Sequence, residues 1–161
     1  MQHVVVGVDT GEAAPAALGS AADLAARLDA ELDAVHVQPL SPAQIRTMIS
    51  TVPGRHACER FLRAEEDAQT RAARTLADRT LTATPVHWRF HVRAGDPVTE
   101  LLAVADSVDA YAIVIGTRHG GVGVALERLL TGSVSHRTIH RTRRPVLVVP
   151  TEVDDRPGRD A

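Results

Sequence analysis

The chain has 161 residues, with eighteen basic and twenty acidic side chains and a formal net charge of −2. That near balance gives no electrostatic case for nucleic acid or an anionic membrane, and the length suits one domain with a continuous core. Every basic side chain is an arginine, and the missing lysine excludes a Walker-type phosphate loop, Schiff-base chemistry and a response-regulator receiver. Cys58 is the only cysteine, which excludes an intrachain disulfide and fits a reducing compartment. The opening MQHVVVGVDTGE lacks the basic stretch, long apolar run and cleavage site of a secretory signal. No apolar run approaches the ~18 residues of a membrane span. A cytoplasmic protein is expected.

His3 to Val8 (HVVVGV) is a β-branched run with few polar interruptions, the pattern of a strand covered on both faces. Asp9-Thr10-Gly11 are turn and cap residues, and Pro15 stands near the next helix start, where a missing N–H matters little. Leu18, Ala21, Ala22, Ala25 and Leu28 then recur at helical spacing, and so many alanines imply close helix-to-sheet contact. Leu32 to Val37 (LDAVHV) is the second strand and completes a right-handed βαβ unit. From Gln38 to Cys58, Pro39, Pro42 and Pro53-Gly54 break regularity, with AQIRTMIS between them as a short helix. A stretch of this length reads as a lid or a disordered loop.

From Glu59 to about Leu81 the pattern is helical, with Phe61, Ala64, Ala68, Ala72 and Leu76 as its apolar face. Val86 to Val92 (VHWRFHV) alternates as an edge strand with one solvated face does. Gly95-Asp96-Pro97 ends it and caps a helix carrying Val98, Leu101, Leu102, Ala105 and Val108 at amphipathic spacing. Ala110 to Ile115 is a fourth, buried strand, and a glycine-rich loop follows Gly116. Gly132-Ser133 opens the last helix, which ends in RTRR, cations at the negative end of its dipole. Pro145 bars its continuation and Val146 to Val149 is the fifth strand. Residues 1–150 therefore read as one domain, and 151–161 as a charged, disordered tail.

Strands and helices alternate throughout, which predicts a doubly wound α/β fold, a parallel sheet with helices on both faces. Ligands in such folds bind beyond the carboxyl ends of the strands, where the strand order reverses. With the first and fourth strands as neighbours there, Asp9 and Gly116 stand on opposite lips of one crevice. The helix start at Gly132-Ser133 offers unpaired N–H groups and the positive dipole end, a seat for phosphate. Nucleotide binding is the function this predicts.

Four pieces carry a resemblance: VGVD from Val6, HVQP from His36, GDPVTELLAVADSVDAYAIVIGTR from Gly95, and LERLLTGSVSHRTIHRTRRPVLVV from Leu126. In that order they make the chain, from Val4 to Pro150, resemble the universal stress protein family. The resemblance implies a Rossmann-like, adenine nucleotide alpha hydrolase-like sheet of five parallel strands in the order 3-2-1-4-5, usually in a homodimer. One branch of the family binds ATP through a loop of the form G-x2-G-x9-G-[S/T], and another branch lacks it. Carried over, Asp9 matches the acid near the ribose, Val37 the adenine-side valine, and Gly116 the first motif glycine. Gly132 and Ser133 match the pair that receives the phosphates, and Val134 and Ser135 continue that helix start. Thr10 and Ile115, beside Asp9 and Gly116, complete this set. His119 stands where the second glycine falls, and the loop to Gly132 is longer than the pattern. Gly120, Gly121 or Gly123 can each supply the close backbone approach. Arg118 can clamp phosphate. A Mg2+ ion accompanying ATP would be held by phosphate oxygens and water.

Asp9 is also placed to cap the first helix. His119 can touch a phosphate or act as an acid or base, but no carboxylate is placed to partner it, so no catalytic residue is assigned. His136 and His140 share a helix face without a third ligand, and His87 and His91 lie about 13 Å apart along a strand. The latter two are read as surface histidines, and no metal site is assigned. Cys58, near Arg55 and Arg60, reads as an inert thiol. The arginines from Arg137 to Arg144 lack interleaved aromatics and read as a solvated helix end, not a nucleic-acid patch. An apolar edge strand at Val146–Val149 is unprotected unless it pairs with its own copy about a two-fold axis, so a homodimer is expected. The resulting expectation is an adenine-nucleotide-binding, stress-linked regulator. Two other classes stay open: a slow ATPase or phosphotransferase, for which no base and attacking water are fixed, and a module recruiting partners through the dimer surface and the 38–58 segment.

Overall fold

Hydrophobic sequence runs fall where two-sided burial demands them. The computed structural model describes residues 1–38, 42–51, 53–117 and 134–150. Their elements are β1 (Gln2–Gly7), α1 (Ala14–Leu28), β2 (Ala30–Gln38), α2 (Pro42–Met48), α3 (Arg55–Leu81), β3 (Trp88–Ala94), α4 (Pro97–Ser107), β4 (Ala112–Gly116), α5 (Val134–Arg141) and β5 (Val146–Val149). The strands form one sheet in the order β3-β2-β1-β4-β5, and every pair is parallel. The expected doubly wound order is the observed one.

β1 shows why. Val4, Val5 and Val6 are all fully buried, Val4 and Val6 on one face and Val5 on the other. Burying each such side chain is worth roughly 1.5–3 kcal/mol, so a central position satisfies all three at once. On the first face, Ala17, Leu18, Ala21, Ala22 and Ala25 of α1 pack with Ala73, Ala77 and Leu81 of α3. On the second, Leu101, Val104 and Ala105 of α4 meet Val5, Val35, Ile113 and Ile115.

Two expectations change. α3 starts at Arg55, four residues before the predicted Glu59, and is 27 residues long, about 40 Å. Its buried face is Ala73, Ala77 and Leu81, whereas Phe61 is 69% exposed and Ala64, Ala68 and Ala72 are exposed. Its apolar contact with the sheet comes from its last third, where the Arg74 guanidinium sits 5.8 Å and 5.2 Å from the ring centroids of Trp88 and Phe90. The arginines near α5 are largely solvated, as expected, but they are also paired. Arg137 pairs with Asp96 at 2.9 Å, and Arg141 donates to Thr99 Oγ1 at 3.3 Å. Arg144 reaches Asp106, Asp109 and the Ala110 carbonyl. They tie α5 to α4 and to the turn before β4.

Candidate functional site

The crevice is built where β1 and β4 end side by side, in the register Val4↔Ala112, Val5↔Ile113 and Val6↔Val114. Beyond Gly7 the chain turns. Val8 N–H donates to Val35 O at 2.8 Å, and Gly11 N–H donates to Asp9 Oδ1 at 2.8 Å. That second bond is an Asx turn, a local structure that a short carboxylate side chain makes readily. Asp9 therefore organises the turn and is not the cap of α1, whose N-cap is Ala13 with no side-chain hydrogen bond.

Gly116, on the other lip, is required by packing. A Cβ there would lie 2.9 Å from Ala13 Cβ and 3.2 Å from its carbonyl oxygen, a distance that side chains do not tolerate. The turn after β1 and the end of β4 are thus in direct steric contact. Thr117 N–H then donates to Val149 O at 2.9 Å, which carries the β4 end onto β5. Val37 and Ile115 belong to the cluster on the α4 side of the sheet, Ile115 buried and Val37 partly so, and Thr10 is exposed.

α5 opens the far side. Val134 is exposed in its first turn, while Ser135 and Thr138 are buried beneath it. Asp96 positions this helix. Its carboxylate accepts the Thr99 N–H at 3.0 Å and hydroxyl at 2.8 Å, capping α4, and pairs with Arg137 of α5. The Thr99 N–H above all, then its hydroxyl and Arg137, hold the Asp96 carboxyl below the usual aspartate range. Of the predicted contacts, Asp9, Thr10, Val37, Ile115, Gly116, Val134 and Ser135 are placed. Arg118, Gly120, Gly121, Gly132 and Ser133 lie outside the described residues, as does His119.

Asp9 in its turn and Gly116 on the other lip thus flank the carboxyl ends of β1 and β4. A model of the universal stress protein family matches residues 1–150. The chain belongs to the universal stress protein family. No curated protein matches it in sequence. Among solved structures, it is similar to a universal stress protein in complex with cAMP, at 26% identity over 94% of this chain and 98% of the other, with a TM-score of 0.64. It is also similar to an Archaeoglobus fulgidus family member in complex with dAMP (21% identity, 92% and 98% coverage, TM-score 0.65). A third is UspA of Lactobacillus plantarum (22%, 92% and 97%, TM-score 0.68). The last two speak to the fold.

Two polar groups escaped the sequence reading of this universal stress protein fold. His36, on the α1/α3 face of β2, is 5% exposed, and its Nδ1 lies 2.9 Å from Val8 O, while its Nε2 is buried without a hydrogen-bond partner. Glu66 of α3 is close enough for its charge to act on His36. Burial raises the Glu66 carboxyl above its usual range, with His36 opposing and Asp67 and Glu65 adding to the rise. On the other face, Asp33 is fully buried and accepts from His3 Nδ1 at 2.8 Å and His91 Nε2 at 2.7 Å. His91 is therefore a structural partner and not simply a surface histidine. The available signal was the same for both: a polar residue inside LDAVHV, an otherwise apolar run.

An open hollow of about 490 Å³ at the start of α3 is lined by Gly54, Arg55, His56, Ala57 and Arg60. None of the predicted contacts lines it, so the crevice at β1 and β4 remains the candidate. Among the described residues, no group of three or more His, Cys, Asp or Glu side chains is placed to hold a metal ion. None of their helices is long and apolar enough to cross a membrane.

Proposed function

We propose that this chain binds an adenine nucleotide between Asp9 and the end of β4, with the sugar at Asp9 and the base against Val37 and Ile115. The observation that carries this is the junction of the Asp9 turn with Gly116 at the carboxyl ends of adjacent parallel strands, the place where doubly wound sheets bind ligands. The structural neighbours holding cAMP and dAMP support an adenosine monophosphate moiety as the common element. ATP is the nucleotide proposed. The N-terminal end of α5, from Gly132-Ser133 through Val134 and Ser135, would receive its phosphates. Mg2+ would be held by phosphate oxygens and water.

Binding in a stress-linked regulatory role is the activity proposed. The protein would act in the cytoplasm as a homodimer. β5 lies at the sheet edge with Leu147 exposed, an apolar edge that a second copy would cover. Sedimentation equilibrium giving a monomer mass at all concentrations would remove that part.

The test is direct. Protein purified without added nucleotide is denatured and any released adenine nucleotide separated by chromatography. ATP–Mg, AMP and cAMP are then titrated into the apo form. Saturable binding is expected, weakened about tenfold in Asp9→Ala through loss of charged hydrogen bonds to the sugar. Absence of binding at millimolar nucleotide would refute the reading.

A further inference from the structure

His36 lies on the α1/α3 face of β2, yet one hydrogen bond connects it to the chain beside the Asp9 lip. Its Nδ1 meets the carbonyl of Val8, the residue before Asp9, and its own neighbour along β2 is Val37. Since a carbonyl oxygen can only accept, Nδ1 carries a proton in this bond. Val8 is then held by β2 at both its polar groups, N–H to Val35 O and C=O from His36. We propose that His36 is a positioning residue of the crevice, clamping the Val8 carbonyl so that the Val8–Asp9 peptide holds the Asp9 carboxylate toward the nucleotide sugar.

This rests on the nucleotide reading above and adds a residue to it. Packing alone does not account for a histidine here. Leu32 and Ala34, which share its face of β2, are apolar, as are Val4, Val6, Val8 and Phe90 around them. Glu66 and the Gln38–Thr70 pair are the polar groups toward α3, and neither hydrogen-bonds the ring. A leucine would fill such a layer without burying an unpartnered nitrogen. It would also leave the Val8 carbonyl without its donor, and a buried carbonyl left unpaired drives local rearrangement. The rearrangement would fall on the residue next to Asp9. The orphaned Nε2 is thus the byproduct of a ring retained for its other nitrogen.

The experiment compares His36→Leu with His36→Asn, whose side-chain amide can donate from nearly the Nδ1 position. Leu32→Val, lower on the same face, serves as a core control. ATP–Mg affinity is measured beside thermal stability for each. His36→Leu should weaken ATP about tenfold, and His36→Asn should restore affinity to within about threefold of the parent. Leu32→Val should lower stability with affinity unchanged. Equal affinity in His36→Leu and the parent overturns the proposal, as does loss in His36→Asn equal to that in His36→Leu.

Two NMR readouts need no nucleotide: the ring nitrogen shifts of His36, expected to show the Nδ1–H form, and the Gly11 amide, which reports the Asp9 turn. If the parent binds no nucleotide, the function reading fails, and the clamp is judged on Gly11 alone. A Gly11 signal that moves in His36→Leu and returns in His36→Asn supports it. One that stays put refutes it.

Discussion

β2 carries two buried polar side chains three residues apart on opposite faces, and the protein treats them differently. Asp33, toward the amino-terminal end of the sheet, is fully buried and has both carboxylate oxygens engaged, by His3 of β1 and His91 of β3. His36, beside the crevice, is nearly as buried but has one ring nitrogen satisfied and one not. The closed network joins three strands and leaves nothing to offer a ligand. The open one touches the chain next to Asp9. Satisfied burial marks architecture, and incomplete satisfaction marks the end of the sheet where function is expected.

Removing Asp33 should give the largest loss. Asp33→Ala strands two imidazole donors and a cavity in the β1-β2-β3 layer, a loss of about 3 kcal/mol. Asp33→Asn should lose less, since one imidazole can switch tautomer to accept from the new amide. Urea unfolding measures both, and ATP affinity well below the melting temperature should be unchanged. If affinity falls with stability in these variants, the two ends of β2 are one cooperative unit and the contrast collapses.

How much of this could be read from the sequence depended on how much apolar surface each position carries. Val4 to Val6 are buried on both faces and give an unbroken signal, so the strand order implied by the family resemblance and the two covered faces were legible. The Asp9 and Gly116 lips followed from that topology. α3 was misread because its face was inferred from alanines, which are nearly indifferent to exposure. The true face, Ala73, Ala77 and Leu81, is one position out of phase with the predicted Ala68 and Ala72, and of the predicted set Leu76 packs against the core. Contacts such as Asp33–His91 and Arg137–Asp96 join residues 58 and 41 apart. No periodicity encodes such pairs. The glycines after Gly116 were read from motif spacing alone, and their placement stays a proposal.

A smaller effect tests the crevice end itself. Asp96 caps α4 and receives Arg137 and Arg141, so it connects the two helices on that side. Asp96→Ala should lower stability by about 1 kcal/mol, chiefly through the lost cap, since partly exposed ion pairs add little. The sign with pH is set by its depressed pKa. The folded protein holds the carboxylate ionised more strongly than the unfolded chain, whose aspartate titrates near 3.8. The stabilisation is present above that value and lost as pH falls through the lower folded one. Parent and variant should differ at pH 7 and draw together as pH falls below 3.8 toward the lower folded value in thermal melts. A constant difference across that range would mean that packing, not the charged cap, holds α4 and α5 together.

Glu66 gives the smallest effect and bears most closely on His36. Burial is the largest influence on its carboxyl and raises its pKa, and the attraction of His36 opposes this without cancelling it. The unfolded chain therefore ionises near 4.5 while the folded chain still holds the proton, so stability declines as pH rises through that interval and stays lowered above it. Glu66→Gln removes the penalty and should stabilise by a few tenths of a kcal/mol at pH 7, with no difference below about pH 4. Urea titrations at the two pH values separate these outcomes. A loss of stability at pH 7 would mean that the attraction to His36 outweighs burial. Glu66 would then be the partner that His36 lacks among direct hydrogen bonds, and the open network beside the crevice would be closed by charge from α3.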